Sequence, residues 1–153
     1  MMYKKTTLIG EMLHFGERSA SGHIYSKEVM EKSIAKFQES IANGTAVGCL
    51  DYTHAADYSI NLQDISHKVT YLKADNQSLQ VELELLDTPK GRAAKETIEA
   101  GLPLYAAISG FGDIDVDGSV TSLNSINTID IVRVPPFKNI SPLQSRTEYE
   151  SQI

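Results

Sequence analysis

Residues 104–134 read LYAAISGFGDIDVDGSVTSLNSINTIDIVRV. Leu104 to Asp113 and Val120 to Val134 are two extended runs, and Asp117-Gly118 between them supplies a tight turn. Pro135-Pro136 then ends regular pairing, because proline has no N–H to give to a ladder.

Upstream, Thr6 to Phe15 favours a strand, and the polar, glycine-containing stretch Gly16 to Gly22 reads as a mobile loop. Ser26 can cap a helix in which Val29, Met30, Ile34, Phe37 and Ile41 recur at helical spacing, and Asn43-Gly44 supplies a left-handed stop. Thr45 to Leu50 is a short strand running into Asp51-Tyr52-Thr53-His54. Ile65 to Leu72 and Leu79 to Leu85 read as paired strands across a turn at Ala74 to Gln77, with Leu79, Val81, Leu83 and Leu85 alternating with polar residues. Thr88-Pro89 opens a second helix, which stops at Gly101. Its apolar positions Ala93, Ala94, Ile98 and Ala100 are mostly small, which predicts close packing on a sheet. From Lys138 to Ile153 the chain is polar and patternless, and a loosely held tail is expected.

Six or seven strands with two inserted helices do not make the strict alternation that marks a parallel sheet. The expected fold is α+β: a mainly antiparallel β-barrel.

The chain has 153 residues, 41% hydrophobic and 22% charged, which suits one compact domain. A net charge of -6 argues against the phosphate neutralisation that nucleic-acid binding requires. Cys49 is the sole cysteine, so neither an intrachain disulfide nor a thiolate metal cluster can form. Near the N-terminus, Leu8-Ile9-Gly10-Glu11 is too short an apolar run for a signal peptide or a membrane span, so a cytoplasmic protein without membrane partners is expected.

Several stretches, in order, carry a resemblance to a known family. Gly22-His23-Ile24-Tyr25-Ser26-Lys27-Glu28-Val29-Met30 opens the first helix. Gly48-Cys49-Leu50-Asp51-Tyr52-Thr53-His54 resembles a Gly-Glu-Leu-Asp/Asn-His-Pro stretch, with the histidine two places later here. Thr88-Pro89-Lys90-Gly91-Arg92 and Glu99-Ala100-Gly101 lead to Ala107-Ile108-Ser109-Gly110-Phe111-Gly112, which lies on a Ser-Ser-Arg-Gly-x-Gly nucleophile segment. Thr128-Ile129-Asp130-Ile131-Val132, then Pro135-Pro136-Phe137, matches the close of the domain. Together these resemble the prohead (capsid maturation) serine proteases of tailed phages, whose fold is similar to that of the herpesvirus assembly proteases. The resemblance spans roughly Leu8 to Phe137, giving a protease domain at 1–137 and a polar C-terminal tail at 138–153.

The resemblance implies His54 as general base and position 107 as nucleophile, where alanine replaces serine. In such an enzyme an imidazole takes the proton of the attacking hydroxyl, and a third group orients the ring. Asp130 is the candidate for that third group, an isolated carboxylate among Ile129, Ile131 and Val132, where burial is costly unless the charge is paired. A carboxylate that satisfies a turn or faces solvent is the other reading of it. His67 competes for the role, because herpesvirus-type proteases use a second histidine; a solvent-facing strand histidine is its simpler explanation. Ser109 is the alternative nucleophile, with Gly110 and Gly112 bringing N–H groups near an oxyanion. Close strand packing at a barrel corner would also explain those glycines. His14 and His23 carry no partner pattern.

Without a hydroxyl at 107 the chain as it stands is expected to be inert. An introduced serine-to-alanine change that stops self-digestion would explain this, and so would a natural paralogue that has lost its nucleophile. Asp113-Ile114-Asp115-Val116-Asp117-Gly118 mimics the start of an EF-hand loop, but Asn124 stands where the bidentate glutamate belongs, so a hairpin turn is expected and no metal or cofactor is invoked.

Relatives of this kind act in the host cytoplasm, inside the assembling prohead, on scaffold, core and major capsid proteins, and cut after glutamate. By the same resemblance, self-cleavage is expected in flexible parts of this chain, at Ile9-Gly10-Glu11 and Ser145-Arg146-Thr147-Glu148, and homo-oligomers are compatible with it. The non-enzymatic alternative is a dead protease-fold scaffold or core component of the prohead.

Overall fold

The computed structural model describes residues 2–51 and 61–151. In chain order these form β1 (Met2–His14), α1 (Lys27–Ala42), β2 (Val47–Cys49), a single 3₁₀ turn (Leu62–Asp64), β3 (Ile65–Ala74), β4 (Ser78–Leu85), α2 (Pro89–Glu99), β5 (Tyr105–Ile114), β6 (Val120–Val132) and β7 (Gln144–Ser151). All strand pairs are antiparallel.

Both helices start as their sequences dictate. The Ser26 hydroxyl accepts the Val29 N–H at 3.2 Å, and Thr88 accepts that of Gly91 at 3.0 Å, each satisfying a donor that the first turn leaves over. Gly44 and Gly101 adopt φ of +74° and +83° just past the two helix ends. Met30, Ile34 and Phe37 face the core from α1, which packs on β3 and β6. On α2 only Gly91 and Ala94 are buried. A Cβ at Gly91 would come 2.7 Å from the Ser66 carbonyl oxygen of β3, so the helix lies as close to the sheet as its small residues allow.

The expected closed barrel is not formed by the described residues. Five strands make an open sheet in the order β2-β3-β4-β1-β7, and β5 and β6 form a separate hairpin. Two gaps keep the sheet and the hairpin from closing, and one of them falls between β2 and β6. There the Cys49 N–H donates to the Asp130 carboxylate at 3.0 Å, not to a backbone carbonyl. A lone parallel bridge joins Leu50 to Ile131, and the Asp51 N–H reaches the Ile131 carbonyl at 2.7 Å. A side-chain seam thus replaces a continuous ladder, because β2 has only three residues to offer.

Two further expectations are corrected. From Lys138 onward the chain is not loosely held. Phe137, Ile140 and Leu143 are buried, and β7 pairs with β1 from Met2↔Ser151 to Ile9↔Gln144. Polar alternation there marks an edge strand, where one face of the ladder meets water. Nor is 16–22 a free loop. The Gly16 N–H bonds Tyr25 O at 2.8 Å, the Ala20 N–H bonds Pro136 O at 2.8 Å, and Ile24 exchanges backbone bonds with Gly118 and Val120. Arg18 adds two bonds of 2.8 Å to the carbonyls of Gly22 and Asp117. Both bonds come from one guanidinium nitrogen, whose two N–H groups suit two converging carbonyls, and the Asp117 partner, 99 residues away, cannot be found by local sequence reading.

Candidate active site

Ala107 and Asp130 are directly opposed in the β5–β6 register. Opposed residues of an antiparallel pair share one face, with β-carbons about 5 Å apart. Ala107 is buried, yet it lines a cavity of about 290 Å³ together with Tyr25, Ile108, Pro136 and Phe137. A second cavity of about 470 Å³ continues along β5 past Ser109, Gly110 and Gly112, and shares Tyr25 and Ile108 with the first.

Asp130 is completely buried, and both its oxygens are engaged. Oδ1 accepts the Cys49 N–H at 3.0 Å and Oδ2 accepts the Thr128 hydroxyl at 3.0 Å. Burial pushes its pKa above the ordinary carboxylate value, and these two donors pull against that rise. Neither the turn nor the solvent-facing reading of Asp130 survives: its environment is interior and hydrogen-bonded. The Cys49 thiol, also buried, is pushed up to about 11, first by desolvation and then by the Asp130 charge, so it is no nucleophile at neutral pH.

His54 lies outside the described residues. The chain leaves β2 toward it through Asp51, the only non-glycine among the described residues with a positive φ, at +66°.

His67 is not solvent-facing. Its ring is fully buried, with Nδ1 2.7 Å from Ser66 Oγ and Nε2 2.6 Å from the Ile129 carbonyl oxygen. A carbonyl only accepts, so Nε2 carries the proton and Nδ1 accepts the Ser66 hydroxyl. Burial lowers its pKa to about 4. Ser66 and His67 make a hydroxyl–imidazole contact of nucleophile–base type, but neither exposes any surface to a substrate.

Ser109 is half-buried and faces Thr128, one alternation along the strand from Asp130. The glycines beside it have a packing explanation. β5 is bulged at Ser109/Gly110 and at Phe111/Gly112. A Cβ at Gly110 would meet Ser125 O at 2.3 Å, and one at Gly112 would meet Ser122 O at 2.2 Å.

Of the remaining histidines, His14 sits between Glu17 at 2.6 Å and Glu11 at 3.0 Å, and His23 lines the larger cavity. The 113–118 stretch is the hairpin turn, with Gly118 at φ +92° and the Asp115 N–H bonded to Ser119 O at 2.9 Å. Among the described residues no helix is long and apolar enough to cross a membrane. Sequence reading missed Gly48, Ser66 and Thr128. Of these only Gly48 carried a signal, a glycine inside a short strand, which marks a close approach.

No family model and no curated protein matches the sequence. Among solved structures the chain is similar to the bacteriophage T4 capsid assembly protease, gp21, with a TM-score of 0.68 and 16% identity over 84% of this chain and 82% of that one. At that identity the likeness establishes the fold: the chain has the fold of a phage capsid assembly protease.

Proposed function

We propose that this chain carries the framework of a serine endopeptidase of phage prohead maturation, with Ala107 at the nucleophile position, His54 as base and Asp130 as the orienting carboxylate. The single observation that carries the reading is the opposition of Ala107 and Asp130 beside an open cavity, on a fold shared with a capsid assembly protease. A hydroxyl at 107 would stand on the same face as Asp130. Scaffold, core and major capsid proteins are the proposed substrates, cut after glutamate, in the host cytoplasm within the assembling prohead.

A second reading rests on a specific observation too. Both Asp130 oxygens already hold structural partners, and position 107 has no hydroxyl, as a protease fold retained for scaffolding would have.

The test is Ala107→Ser in the full chain, assayed against a proteome-derived peptide library. The enzyme reading expects cleavage that Ala107 lacks, with glutamate preceding the cut. If the serine variant, correctly folded, cleaves nothing, the scaffold reading takes its place. Cleavage that depends on Ser109 and not on the new serine would move the nucleophile to 109.

A further inference from the structure

Three strands meet at His67. The residue belongs to β3, its ring bonds the carbonyl of Ile129 on β6, and it lies against β2 at Gly48, its register partner. The contact leaves no room for a side chain. A Cβ on Gly48 would fall 2.5 Å from His67 Nε2 and 2.0 Å from Ile129 O. The ring therefore fills the space where a β2–β6 ladder would run.

On β6, the residue next to Ile129 is Asp130, which holds the Cys49 amide, and next again is Ile131, which holds the Asp51 amide. His67, Asp130 and Ile131 thus fix three successive points along the seam. At its end stands Asp51, in a left-handed conformation that few non-glycine residues adopt and that aspartate tolerates better than most. His54 follows three residues later in the chain.

We propose that His67 is a positioning residue: its imidazole clamps β2 onto β6 and thereby sets the Asp51 corner from which the chain runs to His54. The ring exposes no surface to solvent, and it acts through the backbone of β2. The importance of the corner for catalysis rests on the protease reading above, whereas the clamp itself does not.

The hydrogen bonding explains why histidine suits the place. One ring nitrogen must donate to Ile129 while the other accepts from Ser66, and a neutral imidazole does both at once. Ser66 has a second acceptor within reach, the Gly48 carbonyl at 3.4 Å, so its hydroxyl also touches β2.

The experiment compares His67→Leu and His67→Gln in the full chain carrying Ala107→Ser. Leucine fills the space without a donor, and glutamine keeps an N–H for Ile129. In the leucine variant, amide hydrogen exchange at Cys49 and Asp51 is expected to rise about tenfold relative to the β4 amides. The turnover number should fall roughly tenfold or more with KM nearly unchanged, and glutamine should restore most of both. Exchange at Cys49 and Asp51 that stays in step with β4 overturns the clamp. Altered exchange with an unchanged turnover per folded molecule overturns the positioning role. If the serine variant cleaves nothing, the protease reading fails, and the exchange data still decide the clamp. Should both variants fail to fold, imidazole nitrogen NMR of the unsubstituted chain decides: a proton on Nε2 alone supports the clamp, and a proton on Nδ1 overturns it.

Discussion

Asp130 faces Ala107 across the β5–β6 ladder while its carboxylate bridges to the Cys49 amide of β2 at 3.0 Å. One side chain therefore borders the proposed nucleophile position and anchors the strand that leads to His54. Asp130→Asn, made in the Ala107→Ser chain, separates the two duties. The amide still offers an oxygen to Cys49, but its nitrogen cannot accept the Thr128 hydroxyl. A stability loss of about 1–3 kcal/mol is expected from that broken pairing. If Asp130 orients the base, turnover falls by roughly 10³–10⁴-fold. Urea denaturation alongside steady-state kinetics distinguishes them, and a rate loss no larger than tenfold would remove Asp130 from the catalytic group.

Self-cleavage meets a structural obstacle. Ile9-Gly10-Glu11 lies within β1, paired to β4, and Ser145 to Glu148 lies in β7, paired to β1. A protease needs its substrate extended and unpaired, so either site requires strands to separate first. Intact-mass analysis of the Ala107→Ser chain should show unshortened termini over a period in which a free peptide of residues 6–14 is consumed. Rapid loss of residues 149–153 under native conditions would show that the β7 edge opens readily.

Gly48→Ala tests the seam by steric means. The added carbon would sit 2.0 Å from Ile129 O, and neither strand can yield without breaking the His67 contact. Overpacking of this kind costs about 3 kcal/mol. Gly101→Ala is the comparison: it adds a carbon in open space at φ +83°, so only backbone strain is charged, about 1 kcal/mol. Equal losses in thermal denaturation would show that β2 is not pressed against β6.

What the sequence made legible was mostly local. The caps at Ser26 and Thr88, the glycine stops, and the β3–β4 and β5–β6 hairpins rest on residues close in the chain, and each formed where expected. The seam could not be read. Whether β2 meets β6 through a backbone ladder or through Asp130 and His67 depends on residues 81 and 62 positions apart. The same holds for β7: QSRTEYES has an edge strand's polarity, and only β1 on its inner side makes it a strand. The opposition of 107 and 130 was implied by the hairpin, but three register shifts along β5 and β6 kept simple counting from fixing it.

Two buried ionisable groups of the seam, His67 and Asp130, tilt stability in opposite directions with pH. His67 has a folded pKa of about 4 against an ordinary 6.5, so the unfolded chain binds more protons between those values. Its contribution is present above 6.5 and is lost as pH falls to 4, on the order of 3 kcal/mol. Asp130 has a folded pKa raised above 3.8, so the folded chain keeps its proton longer. Its contribution is present below 3.8 and is lost as pH climbs through the folded value. The rise from His67 spans pH 4 to 6.5 and the fall from Asp130 starts at its ordinary value of 3.8, so the two act against each other where they overlap. His67→Gln removes the rising slope, so its stability gains less than that of the unsubstituted chain between pH 4 and 6.5; Asp130→Asn removes the falling slope, so its stability gains more over the same interval. Urea midpoints of both variants at the two pH values check this. Parallel shifts in the same direction would mean that the two groups do not titrate as their separate burial dictates.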